Sequence, residues 1–385
     1  MKIAVIGDYI LDTYIYGEVE RMSPESPIPI FLEKYTEQKE GGAANVNANL
    51  KALGNKTYFW YEANSVKKRY ICDNHIMFRA DFEKYTPYTG QINFDLSGIE
   101  YCILSDYNKG YLHRSQEIVD YCISKGCKVI VDPKKPLDRY KNSSIIKLNQ
   151  KELIDYTPPN MTFKEIRTLY NIGSLVITMG KNGVYISSDE FEGPIFAEQH
   201  QVSDVTGAGD VFIASMTHFL NKGENLFNAC SNACKLASIS VTKFGTYVLT
   251  EEDIKQTRTI FTNGCFDILH KGHVDYLRKS KSLGAKLIVG INSDASVKRL
   301  KGINRPINNQ DDRKAVLESL DCVDEVIIFD EDTPYDLIKK INPSMITKGG
   351  DYKTEEVVGN DLAEVVIIPF VEGYSTTKVL EKMNG

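Results

Sequence analysis

The run from Phe261 to Leu277, Phe-Thr-Asn-Gly-Cys-Phe-Asp-Ile-Leu-His-Lys-Gly-His-Val-Asp-Tyr-Leu, constrains this chain more than any other stretch. Thr259, Ile260 and Phe261 read as a short buried strand and Asn263-Gly264 as its break. Val274 and Leu277 read as the inward face of a helix beginning near His273. His270 and His273 then fall at a strand-to-helix turn. A helix N-terminus offers unpaired backbone N–H groups and a positive dipole end, and Gly272 lets backbone approach closely, so the two imidazoles make a phosphate-binding corner. The competing reading is a core or metal-binding pair. Their spacing could ligate zinc, but no cysteine or carboxylate cluster nearby completes a site. Nothing in the run looks like a nucleophile.

A chain of 385 residues suggests two or three domains of about 150 residues each. A formal charge of −6 argues against nonspecific nucleic-acid binding, so bound phosphates are expected in local sites rather than in a global basic field. The opening Met1-Lys2-Ile3-Ala4-Val5-Ile6-Gly7-Asp8 reads directly as a strand, and no apolar run approaches the ~20 residues of a membrane span, so a cytoplasmic protein without a membrane partner is expected. Eight cysteines scattered without a framework fit reduced thiols, and Cys230 with Cys234, one helical turn apart, fits core packing.

Residues 1–252 alternate strand and helix patterns, as in a sheet covered on both faces. The strands are Lys2–Ile6, Thr57–Tyr61, Tyr101–Leu104, Lys128–Val131, Ile145–Leu148 and Leu175–Thr178. Most end in polar or glycine-containing turns, where ligands collect in open α/β sheets: Gly7-Asp8, Asp106, Asp132-Pro133, Asn149 and Met179-Gly180. Gly41-Gly42-Ala43-Ala44-Asn45 leads into a helix and by itself means only a tight loop. Asp204-Val205-Thr206-Gly207-Ala208-Gly209-Asp210 opens an apolar helix whose small residues let backbone N–H groups surround a phosphate, with Asp210 placed to take a proton from an attacking hydroxyl.

Both motifs in this order resemble the ribokinase-like sugar kinases. Gly7-Asp8-Tyr9-Ile10-Leu11-Asp12 and Arg21-Met22-Ser23-Pro24-Glu25-Ser26-Pro27 narrow the likeness to the heptose kinase branch. The resemblance implies that Asp8, Asp12, Gly41, Gly42, Asn45 and Lys134 contact the sugar phosphate. It implies that Asn149 and Glu152 organise magnesium, with Glu152 as the metal residue, and that Thr178, Gly180 and Gly183 line the nucleotide pocket. Gly207, Ala208 and Gly209 would form the anion hole, with Asp210 as the base. Two departures stand out. Leu148 replaces the usual proline before Asn149. After Tyr61 only Glu62-Ala63-Asn64-Ser65 precede Val66-Lys67-Lys68-Arg69-Tyr70, where related kinases insert a helix and a strand, so what is missing belongs to the lid, to a neighbouring layer of the core, or to both. An active kinase is expected, and a degenerate domain kept for dimerisation is the alternative.

Thr250-Glu251-Glu252-Asp253 reads as the cap of a short connecting helix, followed by a second domain over 259–385. Its strands begin at Ile260 and continue with Lys286–Ile291, Glu325–Phe329, Met345–Thr347 and Glu364–Ile368, a Rossmann-like pattern. The His270-Lys271-Gly272-His273 run resembles the nucleotidyltransferase signature. It is most similar to the cytidylyltransferase-like half of the bifunctional heptose-7-phosphate kinase/heptose-1-phosphate adenylyltransferases. That resemblance implies catalytic roles for His270, His273 and Arg313, and nucleotide contacts from Asn263, Lys298, Ser375, Thr376 and Thr377.

The implied fold is therefore α/β, a ribokinase-like domain with a small β lid followed by a Rossmann-like nucleotidyltransferase domain. The implied chemistry is phosphorylation of D-glycero-β-D-manno-heptose 7-phosphate at O1, then adenylyl transfer to heptose 1-phosphate. Magnesium would be the cofactor, ATP the substrate of both halves, and a homodimer through the kinase domain the assembly. Between the two steps the family uses a separate phosphatase. A cytidylyltransferase for a small polyol phosphate, with a vestigial, binding or dimerising kinase-like domain, is the alternative.

Overall fold

The computed structural model describes residues 2–73, 75–198, 201–350 and 352–369. Its contacts divide the chain after Asp253 into two compact units, each described by itself. In the first unit one sheet holds β1 (Lys2–Met22), β2 (Pro29–Gly42), β3 (Lys56–Cys72), β4 (His75–Glu83), β5 (Tyr101–Ser105), β6 (Lys128–Asp132), β7 (Ile145–Asn149), β8 (Ser174–Thr178), β9 (Val184–Ser187) and β10 (Glu192–Ile195). The order is β10-β9-β8-β7-β6-β5-β1-β3-β4, with β2 also beside β1. From β3 to β8 along that order the pairs are parallel, and β9 and β10 add an antiparallel edge. The central strands are short runs such as Val129-Ile130-Val131, buried because helices cover the sheet. Ile118, Val119 and Cys122 of the helix Ser115–Ser124 share a core with Leu104, Val131 and Leu148.

Two strands run further than the sequence suggests. Gly7-Asp8 and Tyr61 read as strand ends, yet β1 extends over 21 residues and β3 over 17, paired in parallel from Lys2 opposite Lys56 to Tyr16 opposite Ile71 with one irregularity after Tyr9. The shortened connection explains this. Four residues cannot leave the sheet and return, so the backbone groups beyond Tyr61 are satisfied by prolonging the same ladder. The outer half of β1 pairs antiparallel with β2, and that of β3 with β4, so the lid is a direct continuation of the central sheet. Ile76, Met77, Phe78 and Phe82 on β4 are exposed.

In the second unit β11 (Thr259–Gly264), β12 (Lys286–Asn292), β13 (Glu325–Phe329), β14 (Met345–Gly349) and β15 (Glu364–Ile368) form a sheet of order β13-β12-β11-β14-β15. All its pairs are parallel, the pattern of a Rossmann-like sheet. Ile260, Leu277, Val289 and Leu317 share one core and Phe261, Ile338 and Ile346 another. All eight cysteines are free. Among the described residues no helix is long and apolar enough to cross a membrane.

Candidate active sites

In the first unit the two glycine motifs meet. Gly42, at φ 61°, turns β2 into the helix Ala43–Ala52, and a Cβ on Gly41 would lie 2.2 Å from Asp12 Oδ2. Asn45 sits in the first turn of that helix and donates to Asp210 Oδ2 at 3.0 Å. Asp210 is in the first turn of the helix Ala208–Asn221, after Gly207 at φ 77°. The only backbone that both reaches this left-handed conformation cheaply and leaves room for the Asn45 amide, 2.8 Å from a Cβ on Gly207, is glycine. Burial pushes the Asp210 carboxyl up to about 6, against hydrogen bonds from Tyr107 and Asn45 that favour its charged form. A buried carboxylate of that kind suits a proton acceptor near neutral pH.

Not every expected contact has its side chain open to a ligand. Asp8 accepts three backbone N–H groups, from Tyr107 at 2.9 Å, Lys109 at 3.1 Å and Tyr111 at 3.0 Å, so it anchors the segment after β5. Asp12 holds Arg69 of the lid at 2.5 Å, both buried. At the end of β7, Asn149 and Glu152 form a reciprocal cap of the helix Gln150–Tyr156, and the other Glu152 oxygen takes Lys134. Asn149, Thr178, Gly180, Gly183, Ala208 and Gly209 line a single cavity of about 610 Å³. Gly183, at φ 91°, is essential to its wall: a Cβ there would lie 2.0 Å from the Ile195 carbonyl oxygen.

Two residues of this site, Lys147 and Tyr107, escaped the sequence reading, and Asp132 reads there only as a strand-end turn. Lys147 lines the cavity, and its Nζ lies 2.9 Å from Asp132 Oδ2 and 3.0 Å from a Cβ on Gly209. Asp132 Oδ1 is buried with no hydrogen-bond partner. A lysine inside the apolar strand Ile145–Asn149 is a signal in itself, because a buried ammonium requires a partner or a ligand. Tyr107, which donates its hydroxyl to Asp210 Oδ1 at 2.5 Å, follows the strand-end Asp106 and carries no such signal.

In the second unit β11 ends at Asn263-Gly264 and the helix Lys271–Lys281 begins two residues before the expected His273. His270 precedes that helix and His273 lies in its first turn, their rings stacked with centroids 3.9 Å apart. Burial, then the neighbouring His270, lowers His273 to about 4, and burial lowers His270, so both imidazoles are neutral at pH 7. The Nδ1 of His273 is buried without a hydrogen-bond partner.

Arg313, by contrast, is wholly enclosed. It donates to the carbonyl oxygens of Cys265, Asn292 and Asn308 and pairs with Asp294 at 2.7 Å. That set ties together the ends of β11 and β12 and leaves the guanidinium no free edge, so the expected direct catalytic contact becomes a structural clamp around the histidine corner. Lys298 is exposed. Lys348, absent from the sequence-derived set, donates to Asn263 Oδ1 at 2.9 Å, and burial lowers its pKa. Ser375, Thr376 and Thr377 lie outside the described residues.

Comparison with known proteins agrees with this division. A family model described as pfkB family carbohydrate kinase matches residues 102–253, downstream of the shortened connection, and one described as cytidylyltransferase-like matches 261–382. The first unit has the fold of a ribokinase from Thermotoga maritima, at TM-score 0.52 and 16% identity over 66% of this chain and 97% of that one. It also has that of phosphofructokinase-2 from Escherichia coli, at TM-score 0.52 over 66% and 96%.

Full-length relatives named bifunctional protein HldE are 37% identical in Nitratiruptor sp., over 100% of this chain and 99% of the relative, and 34% identical in Helicobacter hepaticus, over 99% and 96%. The first of these alignments runs over 462 positions against 385 residues here, so the relative carries stretches without a counterpart. Sharing both domains, in the same order and over its whole length, with these relatives, the chain belongs to the bifunctional HldE family, heptose-7-phosphate kinase fused to heptose-1-phosphate adenylyltransferase.

Proposed function

We propose that the first unit transfers the γ-phosphate of ATP to the anomeric hydroxyl of D-glycero-β-D-manno-heptose 7-phosphate, and that the second forms ADP-heptose and pyrophosphate from ATP and heptose 1-phosphate. The observation that carries the first step is the buried Asp210 carboxylate, gripped by Asn45 at the mouth of a helix and next to the cavity that ends at Gly209. As the sugar oxygen bonds to the γ-phosphorus and the bond to ADP breaks, Asp210 takes the hydroxyl proton. The amides of 207–209 and the Lys147 ammonium meet the charge on the transferring group. Gly41, Gly42, Asn45 and Lys134 face the sugar phosphate, while Asp8 and Asp12 shape that wall through the contacts described above.

Magnesium fits the end of β7. Glu152 is a buried carboxylate beside Asn149, a donor set suited to an ion that arrives mostly on phosphates and water. An ion held there would supply charge neutralisation during the transfer.

In the second unit His270, His273 and Lys348 surround the phosphates at the carboxyl ends of β11 and β14, Asn263 orients Lys348, and Arg313 fixes the corner behind them. Lys298, Ser375, Thr376 and Thr377 are further nucleotide contacts. The exposed apolar side chains of β4 support a homodimer through the kinase unit. A sugar-phosphate route of this kind belongs in the cytoplasm, where ATP is supplied.

The test is to supply the protein with ATP, magnesium and heptose 7-phosphate, and then with a phosphatase. Heptose bisphosphate before that addition and ADP-heptose after it are the expected products. Consumption of CTP but not ATP with a polyol phosphate would overturn the assignment.

A further inference from the structure

We propose that Tyr107 is a positioning residue for phosphoryl transfer, its hydroxyl aiming the Asp210 carboxylate and holding it in the proton-accepting form. The identity of the reaction rests on the kinase reading above; the geometry does not. The Asp210 carboxylate is held at both ends, Oδ1 by the Tyr107 hydroxyl at 2.5 Å and Oδ2 by the Asn45 amide at 3.0 Å. Tyr107 is itself placed by a pinned segment, since Asp8 accepts the backbone N–H groups of 107, 109 and 111. Its ring has the ammonium groups of Lys67 and Lys134 at 6.0 and 5.9 Å from the centroid. No other hydroxyl among the described residues is shown bonded to Asp210, and a phenol is a large group to place against a base unless it acts on that base.

The chemistry runs one way. Burial, then the carboxylates of Asp210, Asp132 and Asp12, keeps the phenol protonated, so it can only donate to Asp210. The groups facing Asp210 are Tyr107, Asn45, Asp132 and Lys147, from one loop and three different elements. Burial and Asp132 oppose ionisation of the carboxyl, whereas Tyr107, Asn45 and Lys147 favour it. Loss of the Tyr107 donor therefore raises the pH at which the base becomes available. A residue that only filled space would leave that pH where it is.

Tyr107→Phe keeps the ring and removes the donor. In the full-length protein, the infrared carboxyl band that disappears in Asp210→Asn is expected to titrate about 1 pH unit higher in Tyr107→Phe than in the unaltered chain. The acid limb of kcat for heptose 7-phosphate phosphorylation should move by the same amount, with the KM for ATP unchanged. A cooperative denaturant-unfolding transition of the first unit reports whether the variant is folded. Placing 3-fluorotyrosine at 107, a more acidic phenol of the same shape, should shift the band downward and provides a second reading if the phenylalanine variant does not fold. The same titration in all three proteins would overturn the inference. A shifted band without heptose phosphorylation in the unaltered protein would reject the substrate assignment and leave the positioning role standing.

Discussion

Asn45 and Asp210, 165 positions apart, are joined by a 3.0 Å hydrogen bond from the Asn45 amide to the Asp210 carboxylate. The bond brings the glycine pair after β2 and the glycine loop before the helix Ala208–Asn221 into one corner. It also explains why that corner tolerates no side chain at 207, where a Cβ would meet the Asn45 amide at 2.8 Å.

Asp210→Asn should lower kinase turnover by about 10²–10⁴-fold, the usual worth of a positioned proton acceptor. Adenylyl transfer from supplied heptose 1-phosphate should be unchanged, because the second unit has its own sheet and its own phosphate corner. Assaying both reactions on one preparation checks this.

The same carboxyl sets a pH dependence of stability. Its pKa in the folded chain is raised to about 6 from an ordinary 3.8, so its contribution to stability is complete below 3.8 and is lost as pH rises through about 6. Asp210→Asn stays neutral throughout. The first unit of that variant should be more stable than the unaltered one at pH 8, by about 3 kcal/mol, with the gain shrinking at pH 5, as measured by denaturant unfolding at both values.

Lys147 and Asp132 form a buried pair, and removing one charge strands the other. Lys147→Met should destabilise the first unit by about 3–5 kcal/mol and slow phosphoryl transfer. Adding Asp132→Asn should restore much of the stability without restoring turnover. Recovery of both would mean that Lys147 acts only as a structural partner.

The neutral histidines of the second unit predict proton uptake. His273 is lowered to about 4 in the folded chain, so its contribution to stability is present above its ordinary 6.5 and is lost as pH falls through about 4. A triphosphate in the corner favours the imidazolium and raises that value. ATP binding to the second unit should therefore take up protons between about pH 4 and 6.5, visible as a dependence of the calorimetric binding enthalpy on the buffer's ionisation enthalpy. Replacing His273 with Gln should abolish it.

Among the described residues the Lys348 ammonium, at the end of β14, donates only to Asn263 oxygens, and burial lowers its pKa. Lys348→Met should reduce adenylyl transfer by about 10²-fold, the scale of one lost charge-stabilising donor, while leaving heptose phosphorylation intact. Equal loss of both activities would mean a folding defect.

Much of this was legible in the chain because it is local. The strand-turn-helix pattern at Phe261–Leu277, the glycine pairs and the apolar strand runs depend on neighbours within a few residues, and they placed Asp210, Asn45, His270 and His273 on the correct elements. The parallel pairing of the second sheet agrees with the Rossmann-like pattern read from its strand series, whereas its strand order comes from the structure. What the sequence could not reach was where charges terminate. Asp8 reads as a ligand-facing residue at a strand end, but three amide groups about a hundred positions away claim it. Arg313 reads as a free cation and is enclosed by carbonyls from three separate segments.

Tyr107, Lys147 and Lys348 matter only through partners that the fold brings to them, and β1 and β3 became long strands only because the missing connection left their backbone groups no other ladder. Local propensity and motif spacing thus determine which elements exist and which chemistry the chain carries. Tertiary packing alone decides which ionisable groups are buried together, since desolvation and hydrogen bonding act at distances of a few ångströms between residues that the sequence keeps far apart.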